Sequence, residues 1–231
     1  MEYLPGGLTL ELAQGTFPLS TDSILLSHFA KLPRSAKVLD LGSGCATLGH
    51  LLCAKDELCL VAGIELDPLS HSCALDNIRR NGLTQRLTSI CGDLRQLPQE
   101  YVGKFDCCIS NPPYFSGGPA SKKLTSARRD DHCSCADLFS AASRAVKFGG
   151  DFFLVQRPER LAELIARGAE NKLEAKRLCL IRHRKDGPVT LILLQFRKGA
   201  KPGLSIEEEY LFESDQQPSR FYREIYHIQE G

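Results

Sequence analysis

Asn111-Pro112-Pro113-Tyr114 gathers, in four residues, an amide oxygen, prolyl carbonyls that no strand ladder claims, and an aromatic face. It follows Phe105-Asp106-Cys107-Cys108-Ile109-Ser110, a run apolar enough for a buried strand. Each proline fixes φ and removes an N–H, so the strand stops there and no helix begins. A rigid loop at the carboxyl end of a strand is where open α/β sheets bind ligands. Two acceptors and a ring suit a flat, conjugated –NH2 group. Such a nitrogen is a poor nucleophile because its lone pair is delocalised. Holding its two hydrogens out of plane frees that lone pair toward an electrophile. Taken alone, the tetrapeptide reads equally well as a proline-rich surface turn.

Three more groups stand at strand ends. Asp40-Leu41-Gly42-Ser43-Gly44-Cys45-Ala46-Thr47-Leu48-Gly49 is a glycine-rich turn, in which a ligand can approach the backbone and meet N–H groups at a helix start. Its spacing is not G-x-G-x-x-G, so the dinucleotide fingerprint is not met. Glu65, just past the next strand, is positioned for both hydroxyls of a ribose. Asp93, past the third, is positioned to accept from an adenine amino group. Each acid alone is more often a solvated strand end. Together, in order on successive strand ends, they describe an adenosine-containing ligand beside an amine-holding loop.

The elements that must position these groups follow from pattern and punctuation. Residues 8–14 alternate apolar and polar as a half-buried strand does, and Thr21-Asp22 caps a helix over 23–31. Strands are expected at 37–41, 58–64, 87–91, 105–110 and 151–156, with helices at 47–55, after Asp67-Pro68, at 138–146 and from Pro158 on, with Gly168 following its end. Runs 178–181 and 189–196 flank Lys185-Asp186-Gly187-Pro188, a hairpin. The fold class is therefore α/β: a seven-stranded, mostly parallel sheet with helices on both faces, its last strand pair antiparallel. Residues 1–36 form an amino-terminal extension packed on the core, 37–200 the main domain, and 201–231 a strand/helix extension of it.

Composition excludes little and directs more. With 42% hydrophobic and 25% charged residues and a net charge of +1, the chain is an ordinary globule without a global field for nucleic acid or membrane. No signal peptide or long apolar run occurs, so a cytoplasmic protein is expected. Of ten cysteines, Cys53, Cys59, Cys73, Cys91, Cys107 and Cys179 fall inside apolar patterns, and Cys133-Ser134-Cys135 lacks a second pair; no metal site is expected. From Lys176 to Lys201 eight Lys or Arg face one Asp, and Glu207, Glu208, Glu209, Glu213 and Asp215 follow. A solvated hairpin and a polyanion contact account equally well for that basic run.

The order of motifs resembles class I S-adenosylmethionine-dependent methyltransferases of the amino-methylating branch. Phe17-Pro18-Leu19-Ser20-Thr21-Asp22-Ser23-Ile24-Leu25-Leu26, Ala127-Arg128-Arg129-Asp130-Asp131-His132 and the 203–228 tail are similar to bacterial valine-tRNA adenine-N6 methyltransferases. The resemblance implies S-adenosylmethionine as donor, S-adenosylhomocysteine as product, no metal, and tRNA as the partner, without an obligate protein partner. It implies a catalytic loop of Asn111, Pro112, Pro113 and Tyr114. Cofactor contacts are implied for Thr21, Asp40, Gly42, Ser43, Gly44 and Glu65, and for Leu66, Asp93, Leu94 and Asn111. Substrate contacts are implied for Tyr114 and Phe115 and for the cations Lys122, Lys123, Arg128 and Arg129. A ribosomal-RNA guanine-N2 methyltransferase, a glutamine-N methyltransferase acting on a protein, and a binding module without turnover are the competing readings.

Overall fold

The computed structural model describes residues 1–4, 7–12, 20–112, 133–213 and 217–226. Chain punctuation sets the elements. Asp67 accepts from the Ser70 N–H at 3.0 Å and Pro68 takes the first position of a helix, while Gly82 follows its end at φ 66°. Farther on, Ser134 and Asp137 form a reciprocal capping box at the start of another.

Ten strands and six α-helices are found among the described residues. β1 (Glu2–Tyr3) pairs with β2 (Thr9–Leu10), and α1 is Thr21–Phe29. β3 (Lys37–Leu41), α2 (Thr47–Lys55), β4 (Leu60–Glu65), α3 (Pro68–Arg80), β5 (Leu87–Cys91) and β6 (Phe105–Ser110) then alternate. α4 (Cys135–Ala145), β7 (Val146–Gln156), α5 (Leu161–Glu170), β8 (Leu173–Arg184), β9 (Val189–Lys198), β10 (Ser205–Phe212) and α6 (Arg220–Ile225) follow. The main sheet has the order β10-β8-β9-β7-β6-β3-β4-β5, in which only β9 runs against the others. The expected seven strands are all present, and the carboxy-terminal tail adds β10 as an eighth, parallel to β8.

Two apolar layers hold the sheet. One face packs Val38, Val61, Ile109 and Phe153 against α1, α2, α3 and α6. The other packs Leu39, Leu41, Phe152 and Phe196 against α4 and α5. Helices thus cover both faces, as near-continuous apolar strands require.

Several details depart from the expected pattern. Over the described residues the 8–14 run forms only the short β2, outside the main sheet. Asn81 Oδ1 and Nδ2 pair with the Thr9 N–H and C=O, and Asn77 treats Glu11 the same way, so two side chains stand in for a ladder. Gly168 lies inside α5 rather than after it; a Cβ there would fall 2.5 Å from the Phe196 ring. Cys91 is exposed, since β5 is the edge strand, whereas Cys53, Cys59, Cys107 and Cys179 are buried. All ten cysteines are free thiols, and among the described residues no helix is long and apolar enough to cross a membrane.

The basic run is divided by β10. Parallel pairing sets Glu207 and Glu208 beside Arg177 and Arg182, at 2.7 and 3.5 Å. Arg197 binds Asp151, and Lys198 donates to the Ser143 and Val146 carbonyls. Much of the run's positive charge is answered within the fold.

Candidate active site

From β3 the chain winds outward through β4 to β5 and then returns to β6 on the other side of β3. Adjacent strands whose connections leave in opposite directions open a crevice at their carboxyl ends. Asn111, Asp40, Glu65 and Asp93 therefore lie in that spatial order across β6, β3, β4 and β5.

The turn after β3 is bent back onto β4. The N–H groups of Gly42 and Ser43 both donate to the Ile64 carbonyl, at 3.0 and 3.1 Å. Gly42 and Gly44 have φ of 75° and 54°, open to glycine at no steric cost, and Ala46 takes φ 65° at the entry to α2. Gly63 completes the fit, for a Cβ on it would lie 2.5 Å from Ser43 Oγ. Glu65 locks the assembly: Oε2 accepts from the Gly44 N–H at 2.7 Å and Oε1 from the Asp67 N–H at 2.8 Å. One carboxylate thus joins the glycine turn to the start of α3.

Asp40 is 1% exposed, and neither of its carboxyl oxygens has a hydrogen-bond partner among the described residues. Burial, with the Glu65 carboxylate nearby, pushes its carboxyl up to about 8. An unpaired buried carboxyl keeps its proton until a donor or a cation reaches it. Ser43 Oγ is likewise buried without a partner among the described residues. Asp93 contrasts with both: Arg95 forks onto its carboxylate, with Nε at 3.0 and 2.9 Å from the two oxygens. Leu66 is 45% exposed beside Glu65, and Leu94 is half-buried beside Asp93.

The loop after β6 is anchored twice. Ser110 Oγ donates to the Leu41 carbonyl at 2.7 Å, tying the ends of β6 and β3 together. Asn111 Nδ2 donates to Ser23 Oγ at 2.9 Å and to Ser20 Oγ at 3.4 Å. Holding the amide nitrogen on α1 fixes the amide plane and turns Oδ1 to the opposite side. Pro112 is buried, while Thr21 accepts from the Tyr226 hydroxyl at 3.3 Å. Pro113, Tyr114, Phe115, Lys122, Lys123, Arg128 and Arg129 lie outside the described residues.

Four supporting residues carried too weak a local signal to be singled out: Ser20, Ser23, Tyr226 and Asn77. Asn77 is 1% exposed, and its Nδ2 reaches the Glu11 and Cys45 carbonyls at 3.0 and 3.4 Å, joining the amino-terminal segment to the glycine turn. An Asn on the apolar side of a helix must find partners, and that was its signal.

The residues fit a nucleoside cofactor with a charged tail. A Cβ at Gly42 or Gly44 would meet nothing within 4 Å, so the ground above the turn is open. Asp40 supplies an orphaned buried acid, and Leu66 an exposed apolar face. Among the described residues no group of three His, Cys, Asp or Glu is arranged to hold a metal ion.

Fold and family model together mark an S-adenosylmethionine-dependent methyltransferase. Residues 20–174 match the methyltransferase small domain, and the chain belongs to that family. Among curated proteins it is 26% identical over 212 residues to a tRNA1(Val) (adenine(37)-N6)-methyltransferase of Actinobacillus pleuropneumoniae serotype 7, covering 90% of this chain and 87% of that one. A protein of the same description from Shewanella loihica is 32% identical over 68% of this chain and 67% of its own. Among solved structures, a predicted O-methyltransferase from Agrobacterium tumefaciens superposes with a TM-score of 0.74 at 20% identity, covering 90% of this chain and 96% of that one. That likeness carries the fold.

Proposed function

We propose that the protein methylates the N6 amino group of an adenine in tRNA, acting in the cytoplasm through residues 37–200 with 1–36 and 201–231 as supports. The observation that carries the reading is the Asn111 amide, fixed on α1 by Ser23 and Ser20 at the switch point between β6 and β3. The printed descriptions of the relatives support the choice of acceptor.

The bound cofactor supplies a methyl group already activated on a sulfonium. Gly42 and Gly44 give its tail close access to the backbone, while Glu65 takes ribose hydroxyls on lone pairs not used by the Gly44 and Asp67 N–H groups. Asp40, protonated when alone, ionises against the cationic tail. Asp93 shares its carboxylate between Arg95 and the adenine amine, and Leu66 and Leu94 flank the ring. Asn111 Oδ1 and the Pro112 carbonyl accept the two hydrogens of the target amine and so aim its lone pair. Tyr114 and Phe115 hold the extruded base, since a stacked adenine cannot reach the loop. Lys122, Lys123, Arg128 and Arg129 meet phosphates.

Mass spectrometry of nucleosides from tRNA incubated with protein and methyl-labelled donor tests this. N6-methyladenosine carrying the label is expected. Label in N2-methylguanosine, or in protein glutamine alone, overturns the acceptor.

A further inference from the structure

Cys73, Asn77 and Asn81 run along α3 and its carboxy-terminal cap, each one turn from the next. They meet the backbone of Thr9 and Glu11, two residues apart in the amino-terminal segment. Asn81 Oδ1 accepts from the Thr9 N–H at 3.1 Å, and its Nδ2 donates to the Thr9 carbonyl at 2.7 Å. Asn77 Oδ1 accepts from the Glu11 N–H at 2.9 Å, and its Nδ2 donates to the Glu11 carbonyl at 3.0 Å. Cys73 Sγ donates to that same carbonyl at 2.9 Å. Four residues of helix rise about 6 Å and two of extended chain about 6.7 Å, so the spacings match and the rungs fall in register.

Asn77 does one thing that Asn81 does not. A side-chain amide has two N–H hydrogens to give. Asn81 spends its second on the Asn77 carbonyl at 2.8 Å, within its own helix. Asn77 sends its second to the Cys45 carbonyl of the glycine turn at 3.4 Å, with Cys73 Sγ a weak third neighbour at 3.6 Å. The Asn77 side chain is 1% exposed, so losing either partner leaves a buried donor unpaired.

The turn needs this hold. Ala46 has φ 65°, a left-handed conformation that is costly for a residue with a Cβ, and it begins α2 without a side-chain cap. His50 Nδ1 donates to the Ala46 carbonyl at 2.7 Å, beside the Cys45 carbonyl that Asn77 holds. Two buried side chains thus fix consecutive carbonyls of the turn, and with them the N–H groups at the start of α2 that a carboxylate tail meets. Farther along the same amino-terminal extension, Ser20 and Ser23 hold Asn111.

We infer that Asn77 is a positioning residue that couples docking of the amino-terminal segment to cofactor binding. One buried amide serves both, so the segment seats on α3 and the glycine turn sets for the cofactor as a single event. The inference rests on the placement of the cofactor at the glycine turn. Such coupling is reciprocal. A ligand that steadies the turn steadies Glu11, and freeing Glu11 weakens the ligand by the same factor.

Hydrogen exchange at single amides, read by NMR in wild type with and without saturating S-adenosylhomocysteine, tests this at Thr9, Glu11 and Lys37. Lys37 is the control, because its N–H donates to the Asp106 carboxylate at 2.9 Å at the opposite end of the strands. Exchange at Glu11 and Thr9 should slow about fivefold or more, the lower end of usual coupling, while Lys37 keeps its rate. In calorimetric titration Asn77→Ala should raise the Kd for S-adenosylhomocysteine about fivefold or more, and its Thr9 amide should no longer respond to the ligand. Asn81→Ala, which frees Thr9 and leaves Cys45 held, should weaken the ligand less. Equal slowing at all three amides, no slowing at Glu11, an Asn77→Ala that binds as wild type does, or an equal loss in Asn81→Ala overturns the coupling while the cofactor placement stands. If Asn77→Ala does not fold, the wild-type exchange comparison decides alone. A wild type that does not bind S-adenosylhomocysteine overturns both.

Discussion

The two ends of the parallel strands treat their charged groups in opposite ways. At the amino end, acids and cations are matched: Lys147 sits 2.6 Å from Asp106, and Arg197 grips Asp151 with Nε at 2.8 Å. A cleft of about 560 Å³ opens there, lined by Lys31, Asp106, Lys147, Phe148 and Arg197, with its ion pairs already formed. At the carboxyl end Asp40 is buried without a partner among the described residues, Ser43 Oγ likewise, and Glu65 spends its carboxylate on backbone N–H groups. A cleft by itself would point to the amino end. Unsatisfied buried polarity favours the other, because a fold tolerates an unpaired buried acid at a cost that a ligand can offset.

The largest effect that sharpens this contrast is catalytic. Asn111→Ala removes the acceptor placed by Ser23 and Ser20, at a point where hydrogen bonds strengthen as the lone pair develops. Its kcat for methylation should fall about 10²–10³-fold, the usual loss for a preorganised polar group. Single-turnover rates with donor saturating measure this, and an unchanged rate returns the loop to a structural turn.

Next comes the pH dependence of Asp40. In the ligand-free protein the Asp40 carboxyl is raised to about 8. Its protonated form therefore adds stability that is complete below the unfolded value of roughly 4 and is lost as pH rises through about 8. The slope is up to about 1.4 kcal/mol per pH unit in that window. Asp40→Asn should lack this component, so its unfolding midpoint should gain on wild type as pH rises from 4 to 8 and then hold steady. Parallel curves for the two proteins would contradict a buried, unpaired acid.

A smaller effect tests the glycine turn. Gly63→Ala places a Cβ 2.5 Å from Ser43 Oγ and 2.7 Å from Ser43 Cβ. Overpacking of this kind costs about 1–3 kcal/mol, and here it pushes the turn off β4. Denaturant unfolding should show the loss, and titration with S-adenosylhomocysteine a weaker affinity. Smallest of all, Lys147→Ala at the amino end breaks a partly exposed pair worth about 0–1 kcal/mol and should leave methylation unchanged.

Much of this was legible in the sequence because it is local. Asp67-Pro68 and Gly82 mark α3, and the Asn-Pro-Pro break marks the end of β6, through backbone rules that act over a few residues. The same holds for the glycine turn and for Glu65 at the end of β4. What pattern could not supply was contact between distant positions. Asn111 meets Ser23 across 88 residues, and Tyr226 meets Thr21 across 205. Neither pairing has a local signature. Gly168 reads as a helix stop by propensity, yet it is held inside α5 by the Phe196 ring, a tertiary contact that outweighs the local preference. The pairing of Arg177 and Arg182 with Glu207 and Glu208 likewise needed the parallel register of β10 on β8.

The contrast between the two ends is tested most directly by calorimetric titration of S-adenosylhomocysteine into wild type, Glu65→Ala and Asp106→Ala. Wild type should bind. Glu65→Ala should bind roughly ten- to a hundredfold more weakly, the worth of about one charge-assisted hydrogen bond at 1.5–3 kcal/mol, while Asp106→Ala should match wild type. A wild type that does not bind, or a loss confined to Asp106→Ala, would contradict the assignment of the cofactor to the carboxyl ends of the strands.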